Sequence, residues 1–248
     1  MAGYDFNAPR LFVDSPLQKN ARIALDRAQA NYLLNVLRLK DGESVLIFNG
    51  QDGEWRAEIS VEGRKSADLV CAEQTRSQTP RPNLVYAFAP LKHARLDYMV
   101  QKAVEMGAGV LQPVITRRTQ STRVNLERMR SNAIEAAEQC GIITLPEVRA
   151  EENLENFLKS LEQDSVLVFC DEDAAVSNPV EALAKLGNKP SGVAVIVGPE
   201  GGFTDQERAL VAAHERSVCV SLGPRILRAD TAAVAALAIV QSVLGDWN

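Results

Sequence analysis

The chain has 248 residues, 46% hydrophobic and 24% charged, which allows one large domain or two modest ones with a real core. It has no low-complexity tract and no internal repeat. Its longest apolar run (232–240) is too short to span a bilayer, and its first residues lack the basic and apolar regions of a signal peptide, so a cytoplasmic protein with no membrane partner is expected. Net charge is −5 but unevenly spread: residues 81–130 carry nine Lys and Arg against three Asp and Glu, whereas residues 131–248 carry eight against eighteen. A local polyanion site leaves such a basic middle in an acidic chain; a solvated helix face does so too.

In chain order, short strands are predicted at 10–14, 21–25, 44–48, 54–61 and 67–72, with turns at Asn49-Gly50, Asp52-Gly53 and Glu62-Gly63. One helix interrupts them at 28–39, with Leu33, Leu34, Val36 and Leu37 on its apolar stripe and Asp41-Gly42 as its stop. This composition suggests a small β-barrel over residues 1–73. A polar, Pro-containing linker follows at 74–83. From 84 to 248 strands and helices alternate. Strands are predicted at 84–89, 110–115, 166–170, 193–197 and 218–222, and helices at 93–106, 125–139, 153–161, 205–214 and 229–244. Continuous apolar strands separated by helices indicate an α/β domain with a parallel sheet covered on both faces. Ligands of such sheets bind at the carboxyl ends of the strands.

Three loops follow three late strands: Cys170-Asp171-Glu172-Asp173, Gly198-Pro199-Glu200-Gly201-Gly202-Phe203, and Leu222-Gly223-Pro224-Arg225-Ile226-Leu227-Arg228. Glycines in the second let the backbone turn sharply and approach a ligand, and Thr204 with Glu207 forms a capping box for the next helix. The same residues would also make an ordinary tight turn. Neither a Walker A motif nor GxGxxG is present, which disfavours a phosphate cradle and a dinucleotide site. The only histidines, His93 and His214, lie near no cysteine or acidic cluster of metal-ligand spacing, and the four cysteines (Cys71, Cys140, Cys170, Cys219) form no CxxC pair. No metal and no histidine triad is therefore expected.

Taken together, residues 198–203 and the run Leu-Gly-Pro-Arg-Ile-Leu-Arg-Ala-Asp-Thr-Ala (222–232) resemble the signature of the SPOUT superfamily of knotted methyltransferases. More narrowly, they resemble the bacterial family that methylates N3 of a uridine in 16S ribosomal RNA. Residues 91–107, 113–119 and 135–141 are similar to that family's early catalytic-domain segments. Residues 9–13 and 36–39 are similar to its PUA-like RNA-binding barrel. The chain departs from the family pattern at Asn31 (usually His), His93 (Gly), Ile142 (Arg) and Asp230 (Glu); the first and third departures are expected to remove RNA contacts.

The resemblance implies a deep trefoil knot, a homodimer, S-adenosylmethionine (SAM) as cofactor, and 16S ribosomal RNA or the small ribosomal subunit as partner. Val197, Gly198, Pro199, Glu200, Gly201, Leu222, Gly223, Ile226, Leu227 and Thr231 would form the cofactor site. Arg228 is the expected stabiliser of the uracil anion, with Arg10 contributed from the barrel and Glu200 as an alternative base. Arg10, Arg38, Lys92, Arg95, Arg117, Arg118 and Arg123 would contact RNA. A ribose 2′-O-methyltransferase that shares the cofactor loops is the alternative activity.

Overall fold

Strands with alternating apolar residues build the first sheet. They are β1 (Arg10–Phe12), β2 (Arg22–Ala24), β3 (Ser44–Phe48), β4 (Glu54–Gly63) and β5 (Ser66–Arg76). Their order is β1-β3-β4-β5-β2; β1 runs parallel to β3 and the other pairs are antiparallel. Leu11, Ile23, Leu33, Val45, Ile47, Ile59 and Leu69 close its core. The computed structural model describes residues 8–63, 66–92, 94–121, 123–174, 178–186 and 190–247. His93, one of the departures from the family pattern, lies outside the described residues, as does the N-terminal stretch 1–7.

The chain divides into two units, 1–80 with 137–145, and 81–136 with 146–248. β5 continues to Arg76, into the stretch expected to be linker. Residues 137–145 complete the first unit: Ala137 and Ile143 bury Phe48, with Phe12, Ile142 and Leu145 packed alongside. Glu138 Oε1 accepts the Phe12 N–H at 2.8 Å, and the Gly141 carbonyl accepts Arg76 Nη2 at 2.9 Å. Ile142 is thus a packing residue, and an aliphatic side chain suits that place.

The helix expected at 28–39 is shorter and of mixed type. Asp26 and Gln29 form a capping box that opens α1 (Arg27–Asn31), and a π-helical turn, Tyr32–Val36, follows. The wider turn, closed by Leu37 N–H to Tyr32 O at 2.9 Å, rotates Val36 off the apolar stripe, where it is 61% exposed. The chain leaves the helix at Arg38, whose φ is 59°, before the predicted stop at Asp41-Gly42.

In the second unit β6 (Leu84–Phe88), β7 (Val110–Ile115), β8 (Glu147–Val148), β9 (Glu152–Asn153), β10 (Ser165–Cys170), β11 (Gly192–Val197) and β12 (Ser217–Val220) form a wholly parallel sheet. The order is β12-β10-β11-β6-β7-β8, with β9 also pairing β7. β11 is buried along its whole length, as its run Gly-Val-Ala-Val-Ile-Val requires. The helices are α2 (Ala94–Glu105), α3 (Leu126–Cys140), α4 (Leu154–Ser160), α5 (Pro179–Ala184), α6 (Asp205–Ala212) and α7 (Ala229–Val243). β8, β9 and α5, two to six residues long, are not anticipated by the sequence pattern. α7 buries Ala232, Ala233, Ala236, Leu237 and Val240 and leaves Val234, Ala235, Ala238 and Ile239 partly exposed. Among the described residues no helix is long and apolar enough to cross a membrane.

Candidate active site

β12, β10 and β11 are neighbours, so their carboxyl ends bring three loops together at one edge of the sheet. One cleft is lined by residues 170–172, 197–203, 221–223 and 225–227, with Ala229 and Ala232 of α7. The three segments singled out in the sequence therefore meet. Nine of the ten expected cofactor residues line this cleft; Thr231 is exposed and is not among the lining residues.

Each loop is held by a different device. After β10, Asp171 is buried and accepts Arg208 Nε of α6 at 2.9 Å, while Arg208 also pairs with Asp173 at 2.8 Å and Glu172 at 3.6 Å. These three carboxylates lie within 4.8 Å of one another, but the guanidinium among them already supplies the compensating cation. Hydrogen bonding to Asp171 raises the Arg208 pKa further, so that charge is permanent. Burial pushes the Cys170 thiol up to about 12, which keeps it neutral and non-nucleophilic at the cleft wall.

After β11, the Phe203 ring sits under the loop, 2% exposed and edge-on to Phe169 at 4.9 Å. A Cβ on Gly198 would lie 2.5 Å from that ring. Gly198 is therefore required by packing, where the sequence suggested ligand approach as the reason. Gly202 has φ 67°, closes a turn to the Pro199 carbonyl at 2.9 Å, and has Glu172 beside it. The Thr204–Glu207 capping box forms as expected. Buried Glu207 does more, since its second oxygen accepts the Arg117 backbone N–H at 2.7 Å and ties the basic 116–119 loop to the cleft. After β12, Gly223 has φ 109°, and a Cβ added there would meet nothing within 4 Å, so the cleft is open at that point.

Basic side chains border the cleft. Arg118 Nη1 donates to the Gly201 carbonyl at 2.6 Å, and Arg95 Nη1 lies 3.4 Å from Glu200 Oε1. Arg225 is exposed and lines the cleft; Arg228 is exposed and is the N-cap residue of α7. Arg117, Arg123 and Lys92 are exposed in the same unit, and Arg38 is exposed in the first.

Arg10 is placed otherwise. Its side chain is 4% exposed and donates from Nε to Glu54 Oε2 at 3.1 Å, beside Arg76 Nη2 at 2.6 Å from the same oxygen. A guanidinium buried against a carboxylate is not offered to RNA or to a uracil anion, which corrects both expectations for Arg10. Burial alone would raise the Glu54 pKa, but hydrogen bonds from Arg76, Thr75 and Arg10 outweigh it and hold the carboxyl below its ordinary range.

Comparison with known proteins agrees with this geometry. Residues 77–241 match the family model of the RNA methyltransferase domain, and residues 25–70 match that of the RNA methyltransferase PUA domain. Ribosomal RNA small subunit methyltransferase E of Rickettsia conorii is 33% identical over 234 residues, covering 94% of each chain. The protein of that name from a Synechocystis species is 33% identical over 239 residues, 96% of this chain and 78% of its own. The crystal structure of its counterpart from Neisseria gonorrhoeae, bound to S-adenosyl methionine, superposes with a TM-score of 0.85 at 28% identity, covering 98% of this chain and all of that one. The chain thus belongs to the RNA methyltransferase family that includes ribosomal RNA small subunit methyltransferase E.

Proposed function

We propose that the chain is a SAM-dependent methyltransferase acting on N3 of a uridine in the 16S ribosomal RNA of the small ribosomal subunit. The carrying observation is the convergence of three loops on one cleft with arginines at its border. The lining suits the cofactor. Val197, Leu222, Ile226 and Leu227 offer apolar surface to an adenine, and Gly223 leaves open space. The SAM-bound Neisseria relative supports the same reading.

When bound, SAM supplies a methyl group that its sulfonium already makes electrophilic, so the protein's task is mainly positioning. Uridine N3 must lose its proton, which at neutral pH costs on the order of 3 kcal/mol for roughly two pKa units. Arg228, at the start of α7, has no carboxylate partner among the described residues and is the proposed stabiliser of the uracil anion. Glu200, engaged by Arg95, is the second candidate for handling that proton. The first unit and the exposed Lys92, Arg117, Arg118 and Arg123 grip the RNA through its phosphates. The resemblance to SPOUT enzymes further supports a knot formed by the last strands and α7, and a cytoplasmic site of action beside the ribosome.

Arg228→Ala should leave RNA and SAM binding near normal and slow single-turnover methyl transfer on the order of a hundredfold, with partial rescue at raised pH. Loss of SAM binding without pH rescue would make Arg228 a cofactor-loop residue. Nucleoside mass spectrometry of 16S RNA from cells with and without the gene identifies the methylated atom, and a 2′-O-methyl product would overturn the N3 assignment. A homodimer is also proposed, joined through the partly exposed apolar face of α7 at Val234, Ala235, Ala238 and Ile239. Light scattering at micromolar concentration should give the mass of two chains, and the mass of one would refute it.

A further inference from the structure

A second hollow adjoins the cleft. It is a recess of about 330 Å3 walled by two loops, Glu172 and Ala174 after β10 and residues 221 and 223–226 after β12. That volume falls in the range of small-ligand pockets, about 300–1,000 Å3. Glu172, Ser221, Gly223, Arg225 and Ile226 border both hollows, whereas Ala174 and Pro224 border the recess and not the cleft. The shared loop is held in shape. Gly223, at φ 109°, takes a backbone conformation that side chains disfavour, Pro224 fixes the next φ, and Ser221 Oγ donates to the Gly223 carbonyl at 3.3 Å.

Two side chains of this loop are unused within the chain. Ile226 is 92% exposed, so nearly all of its apolar surface is free. Arg225 is exposed and has no carboxylate partner among the described residues. The other cations at the cleft differ: Arg118 donates to the Gly201 carbonyl, Arg95 lies against Glu200, and Arg228 borders neither hollow. Glu172, the carboxylate of the recess wall, already has Arg208 Nη2 at 3.6 Å. A free guanidinium beside exposed Pro and Ile side chains suits a ligand that joins a negative charge to a flat, weakly polar ring. SAM does not match, because its sulfonium and ammonium outnumber its carboxylate and Arg225 would repel it. An unstacked RNA nucleotide does match, with its phosphate for the guanidinium and its base for the apolar surface. We propose that the recess holds the target nucleotide beside the cofactor, its base against Pro224 and Ile226 and its phosphate on Arg225. The proposal rests on RNA being the substrate and makes Arg225 a positioning residue for it, distinct from Arg228.

The test uses the full chain, small ribosomal subunits from cells lacking the gene, and tritiated SAM. Ala174→Phe fills the recess from a position outside the cleft. It should lower kcat/KM for subunits on the order of a hundredfold, as for a misplaced substrate, while SAM affinity in calorimetry stays at the wild-type value. Arg225→Ala should raise KM and reduce the salt slope of RNA binding by about 0.7, the value for one phosphate contact on a single strand. Arg225→Lys should restore the slope. If Ala174→Phe lowers the thermal midpoint, the contrast between the two Arg225 variants decides. Wild-type turnover in Ala174→Phe, or an unchanged salt slope in Arg225→Ala, would overturn the proposal. SAM binding weakened as much as turnover would make the recess part of the cofactor site, and a halved mass in light scattering would make it a contact between copies; either also overturns it. A wild-type chain that methylates neither subunits nor free 16S RNA would instead overturn the substrate reading, and the recess with it.

Discussion

Arg10 and Arg118 are both arginines expected to touch RNA, yet their surroundings use them differently. Arg10 is buried against Glu54, a carboxylate that it shares with Arg76. Arg118 is exposed and donates to a backbone carbonyl, that of Gly201. A carboxylate partner cancels the charge of an arginine; a carbonyl orients the side chain and leaves its charge intact. The acceptor therefore decides whether the residue serves the fold or a polyanion, and residue type in the sequence does not reveal the acceptor.

The largest effect should come from breaking the buried side of this contrast. Glu54→Gln removes the buried carboxylate that Arg10 and Arg76 share and should cost about 3–5 kcal/mol in urea unfolding. The pH dependence has a definite sign. Glu54 titrates below its unfolded-state value, so its contribution is complete above that value, about 4.3, and is lost as pH falls through the lower folded value. The wild type should therefore lose stability over that acid range, and the variant should lack that component; matching acid limbs would show that the group is not the source.

A smaller effect is expected at the cleft wall. Gly198→Ala pushes a methyl into the Phe203 ring and should cost about 1–3 kcal/mol while weakening SAM binding in calorimetry. Gly201→Ala, whose Cβ would meet only the flexible Arg118 stem at 3.4 Å, should be milder in both measurements. Equal losses at the two positions would remove Phe203 as the reason for Gly198. On the exposed side, Arg117→Ala and Arg118→Ala should each change stability by less than about 0.5 kcal/mol. Each should lower the salt slope of RNA binding by roughly one unit. A stability loss comparable to that of Glu54→Gln would erase the distinction between the two kinds of arginine.

Most of the second unit was legible because its strands are continuous apolar runs and its helices carry caps, as at Thr204 and Glu207. The cleft was legible for a related reason: strand order places the three loops together once the sheet is parallel. Three things were not legible. β8 and β9 are two-residue strands with no periodicity to detect. The π-turn at Tyr32–Val36 differs from an α-helix by one residue of register, which apolar spacing over so short a segment cannot resolve. Arg10 looked available because its carboxylate partner, Glu54, lies 44 positions away, and only the fold brings them together.

Residues 137–145 impose an order on synthesis. Phe12 and Phe48 emerge early from the ribosome, but Ala137, Ile143 and Leu145, which cover them, emerge much later. For most of that interval the nascent first unit displays two aromatic rings to solvent, as well as the Phe12 amide that Glu138 later caps. A fragment ending at Pro80 would remain in that unfinished condition permanently. Expression of the N-terminal segment by itself should therefore yield an aggregation-prone species, and supplying residues 137–145 as a separate peptide should restore solubility.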